Sequence, residues 1–472
     1  MTDKLAPIKF GTDGWRAVIA REFTFANVER VAQAYADFLT KESKAVFPRP
    51  LVVVGFDRRF LSEYFAQRAA EIMSGNGFHV AMFAEATPTP LISWSVKDLQ
   101  AQGGIVITAS HNPATFNGFK IKAPWGGSAT PETTTKVEKL VDLNAPRQAE
   151  FSREKDVLLD GAVANYREQI ALYVDLQRIR EASGVVVIDP MHGSGGRWVE
   201  SFLTGRNLKV ETIRDFRDPL FGGVNPEPID QNLAPLKQRV IDSRAIVGLA
   251  TDGDADRVGA VDERGETMTM HDVVPLMLLH LARQRSMTGA VVVTVSQSVL
   301  TKRIAAAMGL QVHETAIGFK YIADLMLKED VLIGAEESGG IGVKGHIPER
   351  DGILNSLLFL EAIIAAGKPP SQMLADLHQE FGEFRFGRRD LHMPVSQGQE
   401  LVARLSEQPP AKIGNDEVVG VNTLDGAKVL FADESWLLFR QSGTEPVLRI
   451  YSEATSFEKR NALLDAGVAM TR

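Results

Sequence analysis

Cysteine is absent from this 472-residue chain. Disulfides, thiolate metal sites and a cysteine nucleophile are excluded together. An excess of basic charge is also missing: 52 Lys and Arg stand against 60 Asp and Glu, a formal net charge of −8. That balance argues against a broad nucleic-acid surface, so no nucleic-acid partner is expected. No apolar run reaches the ~18 residues of a membrane span, and no membrane partner is expected either. Met1-Thr2-Asp3-Lys4 carries no apolar signal core. No Walker A pattern occurs, which removes support for nucleoside triphosphate chemistry. These absences are compatible with a reducing cytoplasm, the expected location.

What is present is ordinary globular composition, 44% hydrophobic and 24% charged. The length implies about three or four domains. Three β-branched runs, Leu51-Val52-Val53-Val54-Gly55, Val185-Val186-Val187-Ile188-Asp189 and Val291-Val292-Val293-Thr294-Val295, each precede a turn and helix-compatible sequence. Strands buried on both faces and alternating with helices make α/β layers. The wide spacing of the runs predicts three α/β units, with mixed, mainly parallel sheets, rather than one sheet. Turn-like or charged stretches place the boundaries so that residues 1–147, 148–264, 265–382 and 383–472 form four domains. In the last, Lys428–Phe431, Trp436–Phe439 and Val447–Tyr451 read as strands with short turns, and a helix is expected from Phe457 to about Met470. That pattern predicts a smaller α+β domain with an antiparallel sheet.

Four motifs carry chemistry. The first is Thr108-Ala109-Ser110-His111-Asn112-Pro113, which follows the apolar run Gly104-Ile105-Val106-Ile107. Asn-Pro breaks the chain into a turn and leaves a serine hydroxyl at a strand end, beside an imidazole and shortly before Lys120. A serine hydrolase would show a Gly-x-Ser-x-Gly elbow, which is not here. A phosphate-carrying serine needs only an exposed hydroxyl, nearby cations and a metal. The second motif, Asp252-Gly253-Asp254-Ala255-Asp256-Arg257, places three hard oxygen donors at alternate positions, suited to Mg²⁺ or Ca²⁺. An EF-hand loop begins the same way, but its sixth position takes glycine, and Arg257 stands there. The preceding Ala245–Leu249 also reads as a strand, not an entering helix.

The third motif, Gly334-Ala335-Glu336-Glu337-Ser338-Gly339-Gly340, puts carboxylates and a hydroxyl on a glycine-rich loop that suits a polyhydroxylated ligand. Gly340, Gly342 and Gly345 match dinucleotide spacing formally, but His346-Ile347-Pro348 follows instead of a helix start. The fourth motif, Arg440-Gln441-Ser442-Gly443-Thr444-Glu445-Pro446 with Arg449, has the composition of a phosphate cradle: hydroxyls, glycine amides and two guanidinium forks.

Together these segments resemble the α-D-phosphohexomutase family, the phosphoglucomutases and phosphomannomutases, over essentially the whole chain and in family order. The resemblance implies a heart-shaped molecule with three α/β domains, a fourth α+β domain and a central cleft. It implies an enzyme that interconverts hexose 1- and 6-phosphates through a phosphoserine and a bisphosphorylated sugar. Ser110 then corresponds to the phosphoserine, and Asp252, Asp254 and Asp256 to Mg²⁺ ligands, with a phosphoserine oxygen completing the site. Arg16 and Lys120 would flank the transferring group, Lys120 as candidate acid/base, with His111 in support. Arg257, Glu336 and Ser338 would contact the sugar, and Lys320, His346 and Arg350 would line the third domain's share of the cleft. Arg440, Ser442, Gly443, Thr444 and Arg449 would hold the other phosphate. Glu336-Glu337-Ser338-Gly339 resembles phosphoglucomutase versions, so glucose is the expected sugar and glucose 1,6-bisphosphate the activator. Mannose, glucosamine and bisphosphate-making variants, or a non-catalytic sugar-phosphate sensor, are the alternatives. Two departures stand out: Gly340 where some members have histidine, and Arg350 where phosphoglucomutase-like members often have lysine. An arginine with pKa above ~12 is a poor proton shuttle, which leaves the sugar-side acid/base unassigned.

Overall fold

The structure, a computed structural model, describes residues 7–11, 14–42, 50–151, 157–205, 207–442 and 446–471. It divides into two compact units, Met1–Thr267 with Gly339–Pro369, and Met268–Ser338 with Pro370–Arg472.

The first unit holds two sheets. In the first, the β-branched strand Leu51–Phe56 lies parallel to His79–Met82 on one side and Gly103–Ile107 on the other. Val52, Val53 and Val54 are fully buried, each worth about 1.5–3 kcal/mol of apolar transfer. Phe116–Lys122 then pairs antiparallel with Gly103–Ile107, and Trp15–Val18 antiparallel with it in turn. This sheet is therefore mixed, with Phe116–Lys122 running opposite to the other four strands. The cause is the short connection through the Ser110 loop, which can only bring the chain back antiparallel. The loop is thus held between two central strands, beside a core of Phe23, Phe65, Ile105, Ile107 and Phe119.

The second sheet repeats the scheme. Gly184–Asp189 is parallel to Leu208–Thr212 and Val247–Thr251, and Val258–Val261 turns back antiparallel. The connection between the last two strands is the Asp252–Arg257 loop, so both chemistry-bearing loops sit at the same kind of reversal.

Residues 339–369 belong to the first compact unit. The helix Gly352–Ala366 lies against Val247–Thr251, Val258–Val261 and the helices Leu176–Glu181 and Trp198–Leu203. It is apolar nearly all round, and a helix of that kind must be buried on every side; Gly352 through Ile363 are all buried. Asp351 caps it, accepting from the amides of Ile353 and Leu354 at 3.0 and 2.9 Å.

In the second unit Ala290–Thr294 is parallel to Val312–Thr315 and Val331–Ala335. The C-terminal sheet runs Arg385–His392, Val447–Ala454, Trp436–Gln441, Ala427–Phe431, Asp416–Asn422, Lys412–Ile413, antiparallel throughout. One face packs on Val395–Glu407 and Phe457–Ala469 through Leu401, Leu405, Leu448, Ile450, Leu463 and Leu464. Glu453 ties this sheet to the start of helix Val299–Ala307. Its buried carboxylate accepts from Ser298 Oγ at 2.6 Å, Val299 N at 2.9 Å and Trp436 Nε1 at 3.1 Å. Among the described residues no single helix is long and apolar enough to cross a membrane.

Asp351→Ala removes the cap of the buried helix and strands the Tyr166 hydroxyl, which donates to Asp351 Oδ2 at 2.9 Å. The expected loss is on the order of 2–3 kcal/mol, read as a lower urea midpoint; an unchanged midpoint would show the cap to be dispensable.

Candidate phosphoryl-transfer site

Ser110 has φ 52, a left-handed conformation that the surroundings must enforce. The enforcing group is Arg59, fully buried. Its guanidinium donates to the carbonyls of Ser110 (2.5 Å), Asn112 (2.7 Å), Pro113 (2.8 Å) and Phe116 (3.0 Å). Asp57, 3.2 Å from Arg59 Nε, balances that charge and accepts from Thr108 Oγ1 at 2.6 Å. Thr108 Oγ1 in turn accepts from the Ser110 amide at 2.9 Å. Sequence reasoning missed this pair. The available signal was Asp57-Arg58-Arg59 directly after a buried strand, where charges must find partners.

So oriented, Ser110 Oγ donates to Asp252 Oδ2 at 2.9 Å and lies 3.4 Å from His111 Nδ1. Desolvation first, then the Arg257 and Arg16 guanidiniums, hold the His111 imidazole well below the usual histidine range, which makes it neutral at physiological pH. Arg16 Nη1 donates to Asn112 Oδ1 at 2.6 Å and reaches the Ala109 carbonyl at 3.4 Å.

Asp252, Asp254 and Asp256 are all fully buried. Each offers a carboxylate oxygen within 4.8 Å of the others. Asp252 Oδ1 accepts the amides of Asp256 (3.0 Å) and Arg257 (3.1 Å), which curls the loop. Burial and then the Asp254 and Asp256 charges push the Asp252 carboxyl well up. Burial also acts against the Asp254 charge, but Lys120, donating at 3.0 Å, and Thr89, at 2.8 Å, outweigh it and hold that carboxyl below the ordinary range. Lys120 Nζ is also 3.6 Å from Asp256. Asp254 Oδ1 and Asp256 Oδ1 are buried without a hydrogen-bond partner among the described residues. Hard oxygens left unsatisfied in a loop of three converging carboxylates fit a divalent cation.

Arg257 Nη1 stands 3.8 Å from Glu227. Arg350 Nη2 stands 2.9 Å from Asp256 Oδ2. Behind it Glu349, fully buried, accepts from Lys122 Nζ and Ser128 Oγ, both at 2.7 Å, and from the Arg350 amide at 3.0 Å. Lys122 is two residues from Lys120, so one strand supplies cations on one face to both the triad and its support. His346 bonds Asp351 at 2.9 Å and stacks on Trp94 with ring centroids 5.5 Å apart.

The second unit carries the remaining predicted residues. Glu336 is buried, Glu337 accepts from Ser296 Oγ at 2.7 Å, and Ser338 and Lys320 are half-buried, the Lys320 ammonium 4.9 Å from the Tyr321 ring. Arg440 and Arg449 lie directly opposite each other on neighbouring strands, and Asp390 is opposite Arg449. Tyr451 and Arg388, two residues along their strands, share that face. Burial and then the Glu337 charge push the Tyr451 phenol up to about 12. Ser442 is buried, its amide donating to Val447 O at 2.9 Å. Gly443 and Thr444 lie outside the described residues.

Four family models match in order: phosphoglucomutase/phosphomannomutase alpha/beta/alpha domain I at residues 7–148, domain II at 164–265, domain III at 271–381 and the C-terminal domain at 400–469. A phosphoglucomutase/phosphomannomutase of Thermococcus kodakarensis is 32% identical over 98% of both chains. A phosphoglucosamine/phosphogalactosamine mutase of Sulfurisphaera tokodaii is 29% identical over 97% of both. A crystal structure from Thermus thermophilus, described as a phosphomannomutase, superposes with TM-score 0.86 at 37% identity, covering 98% of this chain and 99% of its own.

Two tests follow from the packing. A Cβ on Gly253 would sit 2.5 Å from the Ser110 carbonyl. Gly253→Ala should therefore displace the serine and cut turnover on the order of a hundredfold, with thermal melting little changed; wild-type turnover would contradict the close approach. The Glu349 carboxyl is opposed by burial, but Lys122 and Arg350 hold it at about 2 against an ordinary 4.5. Its stabilisation is complete above the unfolded value and is lost as pH falls through the folded one. The urea-midpoint deficit of Glu349→Gln should thus be full at about pH 7 and shrink below about pH 4.5; a pH-independent deficit would count against the depressed carboxyl.

Proposed function

Because the chain belongs to the phosphoglucomutase/phosphomannomutase family of phosphotransferring isomerases, the α-D-phosphohexomutases, we propose that it interconverts hexose 1-phosphate and hexose 6-phosphate through a phosphate carried on Ser110. The observation that carries this reading is Ser110 Oγ at 2.9 Å from Asp252, in a buried carboxylate triad that Lys120 also enters. In the forward step a sugar hydroxyl oxygen bonds to phosphorus while the bond to Ser110 Oγ breaks, giving a hexose 1,6-bisphosphate. The bisphosphate then turns over, and in the second step Ser110 Oγ bonds to the phosphorus of the other phosphate while that phosphorus parts from its sugar oxygen, which takes a proton and leaves the isomeric hexose monophosphate. Lys120, as an ammonium, neutralises the phosphoryl oxygens and is the candidate acid/base: it gives a proton to the oxygen that loses its phosphoryl group and, once an amine, takes the proton of the attacking hydroxyl. Arg16 adds a second positive contact to the group in flight, and neutral His111 leaves the serine environment without a further charge. Asp252, Asp254 and Asp256 would hold Mg²⁺, which when bound supplies charge neutralisation at the phosphoryl oxygens.

Arg440, Ser442, Gly443, Thr444 and Arg449 form the clamp for the phosphate not being transferred. Arg257, Lys320, Glu336 and Ser338 are the sugar contacts. For Arg350 and His346 we assign support instead: Arg350 holds Asp256, and His346 braces Asp351.

Glucose is the first sugar reading, from the Glu336-Glu337 pair, with glucose 1,6-bisphosphate as intermediate and activator. Glucosamine is the second, since relatives include proteins named phosphoglucosamine mutases and paired carboxylates favour an ammonium group. Rates on glucose 1-phosphate, mannose 1-phosphate and glucosamine 1-phosphate decide between them. On the same preparation, intact mass should show a phosphorylated fraction that Ser110→Ala lacks. Turnover should vanish in that variant and in excess chelator, and Mg²⁺ should restore the chelated wild type. Near-wild-type turnover of Ser110→Ala would overturn the mechanism.

A further inference from the structure

The turn between the strands Asp416–Asn422 and Ala427–Phe431 lies outside every motif read from the sequence. It is locally shaped by Asn422, whose Oδ1 accepts the Leu424 amide at 2.9 Å. It is pressed onto the strand that carries Arg440: Gly426 has φ +93, and a Cβ there would stand 2.3 Å from the Phe439 carbonyl. Within this turn a single carboxylate oxygen, Asp425 Oδ2, accepts from two elements. Arg440 Nε donates to it at 2.9 Å, and so does the Ile317 amide at 2.9 Å. Ile317 immediately precedes Gly318, which has φ +137 and starts the helix Phe319–Lys328, with Lys320 at its second position. Asn422 Nδ2 adds a second tie to the same stretch, donating to Glu314 at 3.0 Å.

We infer that Asp425 is a positioning residue for sugar-phosphate binding, holding Arg440 of the phosphate clamp and the turn before Lys320 in one fixed arrangement. The inference rests on the reading of Arg440 and Lys320 as ligand contacts. A long arginine loses rotamer freedom when it meets a phosphate; a carboxylate that anchors Nε removes that freedom beforehand. The same oxygen fixes a backbone amide of the neighbouring turn, so the two ligand-binding elements are ordered together rather than separately. Both partners of the ion pair are only 20–23% exposed, which keeps water from competing strongly for the contact.

The test is a double-mutant cycle on the full-length enzyme, with KM and kcat measured on glucose 1-phosphate and glucosamine 1-phosphate. Asp425→Ala should raise KM roughly tenfold and change kcat far less. Asp425→Asn, which retains an acceptor but not the charge, should fall between it and wild type. In the Arg440→Ala background Asp425→Ala should add less than about twofold, because the residue it positions is gone. Matching melting curves identify variants that are folded, and Asp425→Asn serves if Asp425→Ala is not. A raised KM in Arg440→Ala with wild-type KM in both Asp425 variants would overturn the positioning role while leaving the clamp. Fully multiplicative effects in the double variant would do the same. An unchanged KM in Arg440→Ala would remove the clamp reading itself, and this inference with it.

Discussion

Three carboxylates within 4.8 Å of one another, all buried, are the constraint around which the first unit is built. Negative charge packed that closely in a low-dielectric interior costs far more than backbone or apolar packing returns, unless cations surround it. The cations come from separate stretches of the chain. Lys120 belongs to the strand Phe116–Lys122 and Arg350 to the segment after residue 339, while Asp252 accepts from a neutral donor, the Ser110 hydroxyl. Each must arrive with a fixed orientation, and that requirement explains the buried polar groups behind them.

Arg59 and Glu349 are the two clearest cases. Arg59 spends its guanidinium on four carbonyls of the serine loop, and Asp57 compensates it from below. Glu349 sits between Lys122 and Arg350, so that Arg350 meets Asp256 while its own charge is balanced. Arg59 meets Ser110 through its carbonyl and Glu349 meets Arg350 through its guanidinium and amide. Both are fully buried, and a buried charge with several satisfied bonds fixes geometry in a way that an apolar side chain of the same size does not. The second unit follows a milder version of the same logic. Arg388, Arg440 and Arg449 share one sheet face and are only partly buried, with Asp390 and Asp425 as their carboxylate partners.

The strands at Leu51, Val185 and Val291, the all-antiparallel C-terminal sheet and the helix from Phe457 were legible because periodicity and β-branched runs are local properties. So were the serine loop and the aspartate loop: their donors are adjacent in sequence, and a few residues of backbone suffice to bring them together. The supporting residues were not legible, for the opposite reason. Arg59 and the carbonyls it holds are about fifty residues apart, and Lys122 and Glu349 lie 227 apart; nothing in either segment names the other. Arg350 shows the same limit, since nothing in its own segment names Asp256, 94 residues earlier, as its partner.

By itself, then, the sequence determined which elements form and which residue types can carry phosphate, metal and anion chemistry, because those depend on short-range pattern and on side-chain chemistry. The tertiary structure alone decided which charge answers which: Lys120 to Asp254, Arg350 to Asp256, Arg59 to the serine loop, Asp425 to Arg440. The physical reason is that an ion pair is a property of distance in space and of burial, and both are set only when separate strands and helices close around a common core.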